Sequence, residues 1–135
     1  ATVRASLGDG ELWLEPGRFV IAEAGVLRAR VTQIKSKGSS AYVGVATGMN
    51  SLIRPALYGA HHDIVNLSRP DTDVALREFD VVGPICETGD VLGHARLLPA
   101  DTAEGDVLLI ATAGAYGAAM ASHYNLRQPA PEFAL

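Results

Sequence analysis

Val26-Leu-Arg-Ala-Arg-Val-Thr-Gln-Ile-Lys35, then Lys37-Gly-Ser-Ser40, then Ala41-Tyr-Val-Gly-Val-Ala46, decide how the rest of the sequence is read. Val26, Leu27, Ala29, Val31 and Gln33 give the alternation of a half-buried strand, Lys37–Ser40 turns the chain, and Ala41–Ala46 returns as a second strand. Upstream, Glu11-Leu-Trp-Leu14 reads as a short apolar strand that stops at Glu15-Pro-Gly-Arg18, and Phe19–Gly25 as a short helix closed by its glycine. Downstream, Leu52, Ile53, Ala56, Leu57 and Ala60 recur at helical spacing over Asn50–His61, with Pro55 early enough to be tolerated. Further strands are expected at Asp63–Leu67, Ala75–Val82, Pro84–Cys86 and Val107–Ala111, separated by turns at Arg69–Asp71, Thr88–Asp90 and Leu98–Asp101. Gly114, Gly117 and Ala118–Ala121 suit a compact helical turn, Arg127–Glu132 is extended, and Phe133–Leu135 is a shortened edge strand. Short strands at this spacing predict a mainly β fold with short helices, a Greek-key-like β-barrel or sandwich.

With 135 residues, 48% of them hydrophobic and 19% charged, the chain has the size and composition of one domain with a real core. One cysteine excludes an internal disulfide framework and any multi-cysteine metal cage, and points to a reducing cytoplasm. No secretory leader is visible, and no apolar stretch approaches the roughly 18 residues of a membrane span. Among the 11 basic residues only Lys35 and Lys37 are lysines, the basic side chains are scattered, and the net charge is −4. That pattern offers no polybasic stripe for nucleic acid or anionic lipid. His61, His62 and His94 lack the supporting carboxylates or cysteines of a metal site. Both ends read as cuts, because an apolar strand lies close to each.

Four blocks carry more side-chain specificity than packing requires: Glu15-Pro-Gly-Arg18, Gly48-Met-Asn-Ser-Leu-Ile-Arg-Pro-Ala-Leu-Tyr58, Gly83-Pro-Ile-Cys-Glu87 and Ala113-Gly-Ala-Tyr-Gly117. In this order they resemble the C-terminal part of the diaminopimelate decarboxylases, within the alanine racemase-like group of pyridoxal-phosphate enzymes. The resemblance covers nearly the whole chain, and Met-Asn-x-x-Ile-Arg-Pro-x-Leu-Tyr is its most specific block. It implies a fold-type III decarboxylase in which residues 1–18 are the last strand and loop of a (β/α)8 barrel and residues 19–135 are the C-terminal β domain. Such a barrel takes about 250 residues, so most of it, with the Schiff-base lysine, lies outside this chain. Lys35 and Lys37 sit beside a polar turn and are not substitutes.

The resemblance implies roles for particular residues. Glu15 keeps the pyridine nitrogen of the cofactor protonated, so that the ring accepts electrons. Gly17, Arg18 and Tyr116 serve the cofactor phosphate, with Arg18 and Tyr116 also reaching substrate. Cys86 is the thiol acid that protonates the substrate carbon after carbon dioxide leaves, and Glu87 binds the distal ammonium. This pair reaches the site of the opposite subunit in a homodimer. Each residue has a plainer reading as well: a turn carboxylate at Glu15, a surface arginine at Arg18, a small buried hydrophobe at Cys86, a core-edge tyrosine at Tyr116.

Arg54 and Tyr58 are four apart, so a helix puts them on one face, where they can grip a carboxylate. A diamino dicarboxylic acid carries, away from the reacting carbon, one carboxylate and one ammonium. Arg54 with Tyr58 and Arg18 answers the first, and Glu87 the second. An arginine fork left unpaired by ornithine would disfavour that substrate. The substrate expected is therefore meso-diaminopimelate, the cofactor pyridoxal 5'-phosphate, and the partners the missing N-terminal barrel and a second subunit, with no nucleic acid or membrane. An ornithine- or arginine-type decarboxylase domain and a stand-alone β domain binding a small anion or a protein are the alternatives. Three positions depart from the family pattern: Ala46 and Ser51 replace acids, and Thr112 stands where Asp is usual.

Overall fold

The computed structural model describes residues 6–70 and 73–134. After helix α1 (Gly17–Ile21) and a 3-10 turn (Ala22–Ala24) come strands β1 (Leu27–Lys37) and β2 (Ser40–Val45), helix α2 (Arg54–Tyr58), and strands β3 (Ile64–Asn66), β4 (Leu76–Val82), β5 (Val91–Pro99) and β6 (Val107–Ile110). The strands form one sheet in the order β3-β6-β1-β2-β4-β5. Its two outer strands, β3 and β5, lie against each other. Gly93 of β5 is so near β3 that a Cβ there would meet Ile64 Cδ1 at 3.1 Å. The sheet is therefore a nearly closed six-stranded barrel, as the alternating short strands predict. No described helix is long and apolar enough to cross a membrane.

β1 is long because it serves two neighbours. Leu27–Arg30 pairs antiparallel with β6, and Val31–Lys37 pairs antiparallel with β2. A register shift between Val31 and Gln33 marks the change, and such bulges bend a strand and add twist. β2 then pairs parallel with β4, which demands a crossover, and the chain between them holds α2 and β3, the latter pairing with β6. Inward residues fill the interior: Val43, Val81, Leu98, Leu108 and Ile110 have no exposed surface.

Four expected elements differ, and β5 is a strand for which the sequence pattern carries no expectation. Glu11–Leu14 forms no strand: both edges of β1 are already taken by β2 and β6, and Trp13 and Leu14 stand exposed. Pro84–Cys86 forms no strand either, because Pro84 has no N–H and the Gly83 and Ile85 amides bond to Asp90. The Asn50–His61 helix shrinks to Arg54–Tyr58, since the Ser51 and Leu52 amides turn back to the Gly48 carbonyl and Gly59 ends it in the left-handed conformation at φ 62°. β5 has no clear alternation, because Gly93 and Ala95, the latter at φ 49°, interrupt it where the β4 register shifts. Asp80 holds that irregularity, accepting the Ala95 amide at 2.9 Å and pairing with His94 at 3.3 Å. Phe133 and Ala134 form no strand; Asp71 of the expected turn and Leu135 of the expected edge strand lie outside the described residues.

The end of the barrel away from α2 is fixed by Asp106. Its Oδ2 accepts from Asn66 Nδ2 at 2.9 Å, Arg69 Nε at 3.0 Å and the Ala103 amide at 3.0 Å. Burial pushes this carboxyl up, but the bonds from Arg69, Ala103 and Asn66 outweigh it and hold it below its ordinary 3.8. A carboxyl lowered on folding adds stability that is present above its unfolded pKa and is lost as pH falls through the folded one. Asp106→Asn is expected to flatten the acid side of the stability profile below about pH 4 while lowering stability at neutral pH, read from urea midpoints at several pH values. An unchanged acid limb would contradict the assignment.

Candidate active site

The Gly48–Ser51 loop that leads into α2 and the Gly83–Gly89 loop between β4 and β5 are joined by one side chain. Asp90 is buried, and its two carboxylate oxygens accept the Met49 amide and the Ile85 amide, each at 2.6 Å. The Asp90 carbonyl takes the Gly83 amide at 2.9 Å. A buried carboxylate is tolerated only when such donors replace its water. Gly48 and Gly83 flank it so tightly that a Cβ on either would overlap the carboxylate oxygens. Glycine is therefore required at both positions for room, independently of its backbone freedom.

On one side of this latch stands α2. Arg54, its first residue, gives an Nη1–H to His62 Nε2 at 3.1 Å, and His62 Nδ1 bonds the Ala111 carbonyl at 2.9 Å. A carbonyl only accepts, so Nδ1 carries the proton and Nε2 presents a lone pair to Arg54. Burial pushes the His62 pKa below its ordinary 6.5; the Ala111 bond opposes this, and the charges of Arg54, His61 and Arg96 reinforce it. Tyr58, at the other end of α2, is exposed. Arg54 and Tyr58 are therefore the two ends of one short helix.

On the other side, Cys86 and Glu87 are both exposed at the tip of their loop. Glu87 Oε1 accepts the Thr88 amide at 3.0 Å and the Thr88 hydroxyl at 3.3 Å, and Oε2 accepts the Tyr124 hydroxyl at 3.3 Å. Tyr124 arrives on the C-terminal segment, which the Gly48–Ser51 loop anchors. Asn50 Nδ2 donates to the Gln128 carbonyl at 3.2 Å, and the Asn50 carbonyl accepts the Ser122 amide at 2.9 Å. Ser51 Oγ accepts the Ala130 amide at 2.8 Å and lies 2.6 Å from Thr47 Oγ1. Ser51 is thus a neutral replacement that still holds the tail, while Ala46 is exposed and nothing in the structure explains its substitution.

The remaining candidates lie around α1. Glu15 is exposed just before it, its carbonyl accepting the Gly17 amide at 2.9 Å; Gly17 opens the helix with free space where a side chain would stand, and Arg18 is exposed. The Ala113–Gly117 block docks on the same region. The Ala113 amide reaches the Gly25 carbonyl at 2.8 Å, and the Gly114 amide reaches the Ala22 carbonyl at 3.0 Å. A Cβ on Gly114 would overlap the Ile21 carbonyl, and one on Gly117 the Ala113 carbonyl. Between them Tyr116, at φ 61°, stands 45% exposed. The structure thus joins the Arg54–Tyr58 helix to the Cys86–Glu87 loop through Asp90, and docks Ala113 and Gly114 on the turn that follows α1.

Sequence reasoning missed Asp90, His62 and Tyr124. Asp90 looks like an ordinary turn residue in Thr88–Asp90, and only its position three residues beyond Glu87 and the glycines at 48 and 83 hint at its task. His62 follows α2 by four residues, a spacing that carries no signal until Gly59 turns the chain back.

A family model described as "Pyridoxal-dependent decarboxylase, C-terminal sheet domain" matches residues 18–114. The chain is 50% identical over 124 residues to the diaminopimelate decarboxylase of Pseudomonas aeruginosa, covering 92% of this chain and 29% of that protein. It superposes on a solved structure from Aquifex aeolicus with a TM-score of 0.81 at 41% identity, over 93% of this chain and 31% of that one. It also superposes on the Helicobacter pylori diaminopimelate decarboxylase complexed with L-lysine, with a TM-score of 0.76 at 38% identity, over 91% of this chain and 30% of that one. The chain thus spans about three tenths of the length of these relatives.

Two outcomes are expected of the site's scaffold. Asp90→Asn turns an amide N–H toward one of two buried backbone donors and should lower stability by about 1–3 kcal/mol, read as a urea midpoint shift; no measurable shift would contradict the latch. Thr112 is β-branched yet sits at φ 57°, a conformation that Asn and Asp tolerate far better. Thr112→Asn should raise stability by about 1 kcal/mol, and a loss would show that the threonine side chain is needed there.

Proposed function

Because the chain belongs to the pyridoxal-dependent decarboxylases, as their C-terminal sheet domain, we propose that it completes the active site of a diaminopimelate decarboxylase that converts meso-2,6-diaminopimelate to L-lysine and carbon dioxide. The observation that carries this reading is the Asp90 latch. It brings the loop leading into Arg54 and the Cys86–Glu87 loop to one end of the barrel. The 135-residue chain is proposed to be inactive alone, residues 1–18 being the end of a (β/α)8 barrel and 19–135 the sheet domain.

The donor set around α1 fits pyridoxal phosphate. Arg18 and Tyr116 offer a charged fork and a hydroxyl for a phosphate, the open space over Gly17 lets a bulky group approach, and Glu15 offers a carboxylate for a ring N–H. When bound, that cofactor supplies the electron sink that makes loss of the carboxyl group feasible. Arg54 and Tyr58 hold the distal carboxylate of the substrate, and Glu87, steadied by Tyr124 and Thr88, holds the distal ammonium. The Cys86 thiol delivers a proton to the carbon that has lost carbon dioxide. In a homodimer whose copies meet at this end, Cys86 and Glu87 of one copy serve the site of the other. The 50% identity to a diaminopimelate decarboxylase supports this substrate over ornithine or arginine, which bring no distal carboxylate to Arg54.

The test is carbon dioxide release by the longest native chain that carries this sequence, with pyridoxal phosphate added and the 135-residue chain as control. Release from meso-diaminopimelate, little from L-ornithine or L-arginine and none from the short chain is expected. In that full chain Cys86→Ala should lower kcat about 10²–10⁴-fold, the usual range for a general acid. Release from ornithine or arginine instead would overturn the substrate, and near-normal turnover by the Cys86 variant would overturn the proton donor.

A further inference from the structure

Arg54 is held by a partner that does not neutralise it. A carboxylate at the same place would orient the guanidinium more strongly but would cancel its charge, leaving little attraction for a second anion. His62 is 1% exposed, with each ring nitrogen committed: Nδ1–H to the Ala111 carbonyl at 2.9 Å, and the Nε2 lone pair to Arg54 Nη1–H at 3.1 Å. A neutral imidazole gives one directional bond and leaves the full positive charge on the arginine. The Arg54 Nε–H is buried with no hydrogen-bond partner, so among the described residues the His62 bond is what orients the guanidinium. The ring cannot drift, because Ala111 begins the segment whose Ala113 and Gly114 amides are bonded to the Gly25 and Ala22 carbonyls.

We propose that His62 is a positioning residue that fixes Arg54 for the distal carboxylate of the substrate while leaving its charge intact. This rests on the reading of Arg54 as the distal carboxylate site. The chemistry supplies a discriminating pair of probes. Loss of one carboxyl group from meso-diaminopimelate leaves L-lysine, which retains the distal carboxylate, whereas cadaverine has the same carbon chain and amines and no carboxylate. Only L-lysine should sense whether Arg54 is in place; Glu87 and the cofactor site see both.

The experiment uses the full native chain with pyridoxal phosphate. For His62→Leu, KM for meso-diaminopimelate and Ki for L-lysine should rise together by roughly 10-fold or more, the cost of losing a charge-assisted hydrogen bond. Ki for cadaverine should stay constant, and kcat should change far less than KM. His62→Gln, whose amide can restore one of the two bonds, should recover part of the loss; His62→Glu should not, since it cancels the charge. A measurement on the unaltered enzyme guards against misfolded variants. Protonating His62, which faces Arg54, His61, Arg96 and the Ala111 carbonyl, removes the lone pair, so the ratio of Ki for L-lysine to Ki for cadaverine should rise as pH falls below the ordinary histidine range. Equal shifts for both probes, or a pH-independent ratio, would overturn the proposal. Absence of decarboxylation by the unaltered chain would instead overturn the reading it rests on.

Discussion

The buried carboxylate of Asp90 is the constraint on which the functional end of the barrel depends. Two loops separated by more than thirty residues each turn a backbone amide onto it, and both are built around a glycine that leaves it room. Take the carboxylate away and two buried N–H groups lose their acceptor, while the space between Gly48 and Gly83 has nothing to fill it. The arrangement explains how a short loop with no regular structure can hold Cys86 and Glu87 exposed yet fixed. It also explains why the helix bearing Arg54 begins where it does, since the Gly48 turn that receives the Ser51 and Leu52 amides is set by the same contact.

From this latch, order spreads by hydrogen bonds rather than by apolar packing. Asn50 and Ser51 fasten the C-terminal segment, which brings Tyr124 to Glu87. His62 ties Arg54 to Ala111, and the residues after Ala111 dock by paired amides on the α1 region. The apolar core lies to the other side, inside the barrel. The candidate site residues therefore sit on a polar layer at one end of a hydrophobic scaffold. α1 has no buried residue, and Phe19 is 90% exposed, which accords with a sheet domain that is about three tenths of its relatives' length.

Much of the barrel was legible in the sequence because its strands alternate. β1, β2 and β4 stand close to where the pattern puts them, β3 is the trimmed centre of its expected run, and β6 ends one residue short of its own. Elements failed where the backbone bonds to a side chain instead of a neighbouring strand: the Gly83–Cys86 stretch bonds to Asp90, and β5 is bent around Asp80. Glu11–Leu14 failed for a different reason, since its apolar residues meet no strand edge within the described residues. At the candidate site, the proposed ligand-facing residues, Glu15, Gly17, Arg18, Arg54, Tyr58, Cys86, Glu87 and Tyr116, stand in short blocks that the sequence itself displays. The residues that hold Arg54 and the Cys86–Glu87 loop, Asp90 and His62, act over distances of 41 and 49 positions to Met49 and Ala111, and no local pattern carries such pairings.

Amide hydrogen exchange at Met49 and Ile85 tests the latch most directly, because both lie in loops whose amides should exchange rapidly unless Asp90 holds them. The account predicts that both are protected nearly as well as the central amides of β1 and β2, and that both lose protection together in Asp90→Asn. Fast exchange at these two positions in the unaltered protein, at rates like those of the exposed segment before α1, would contradict it.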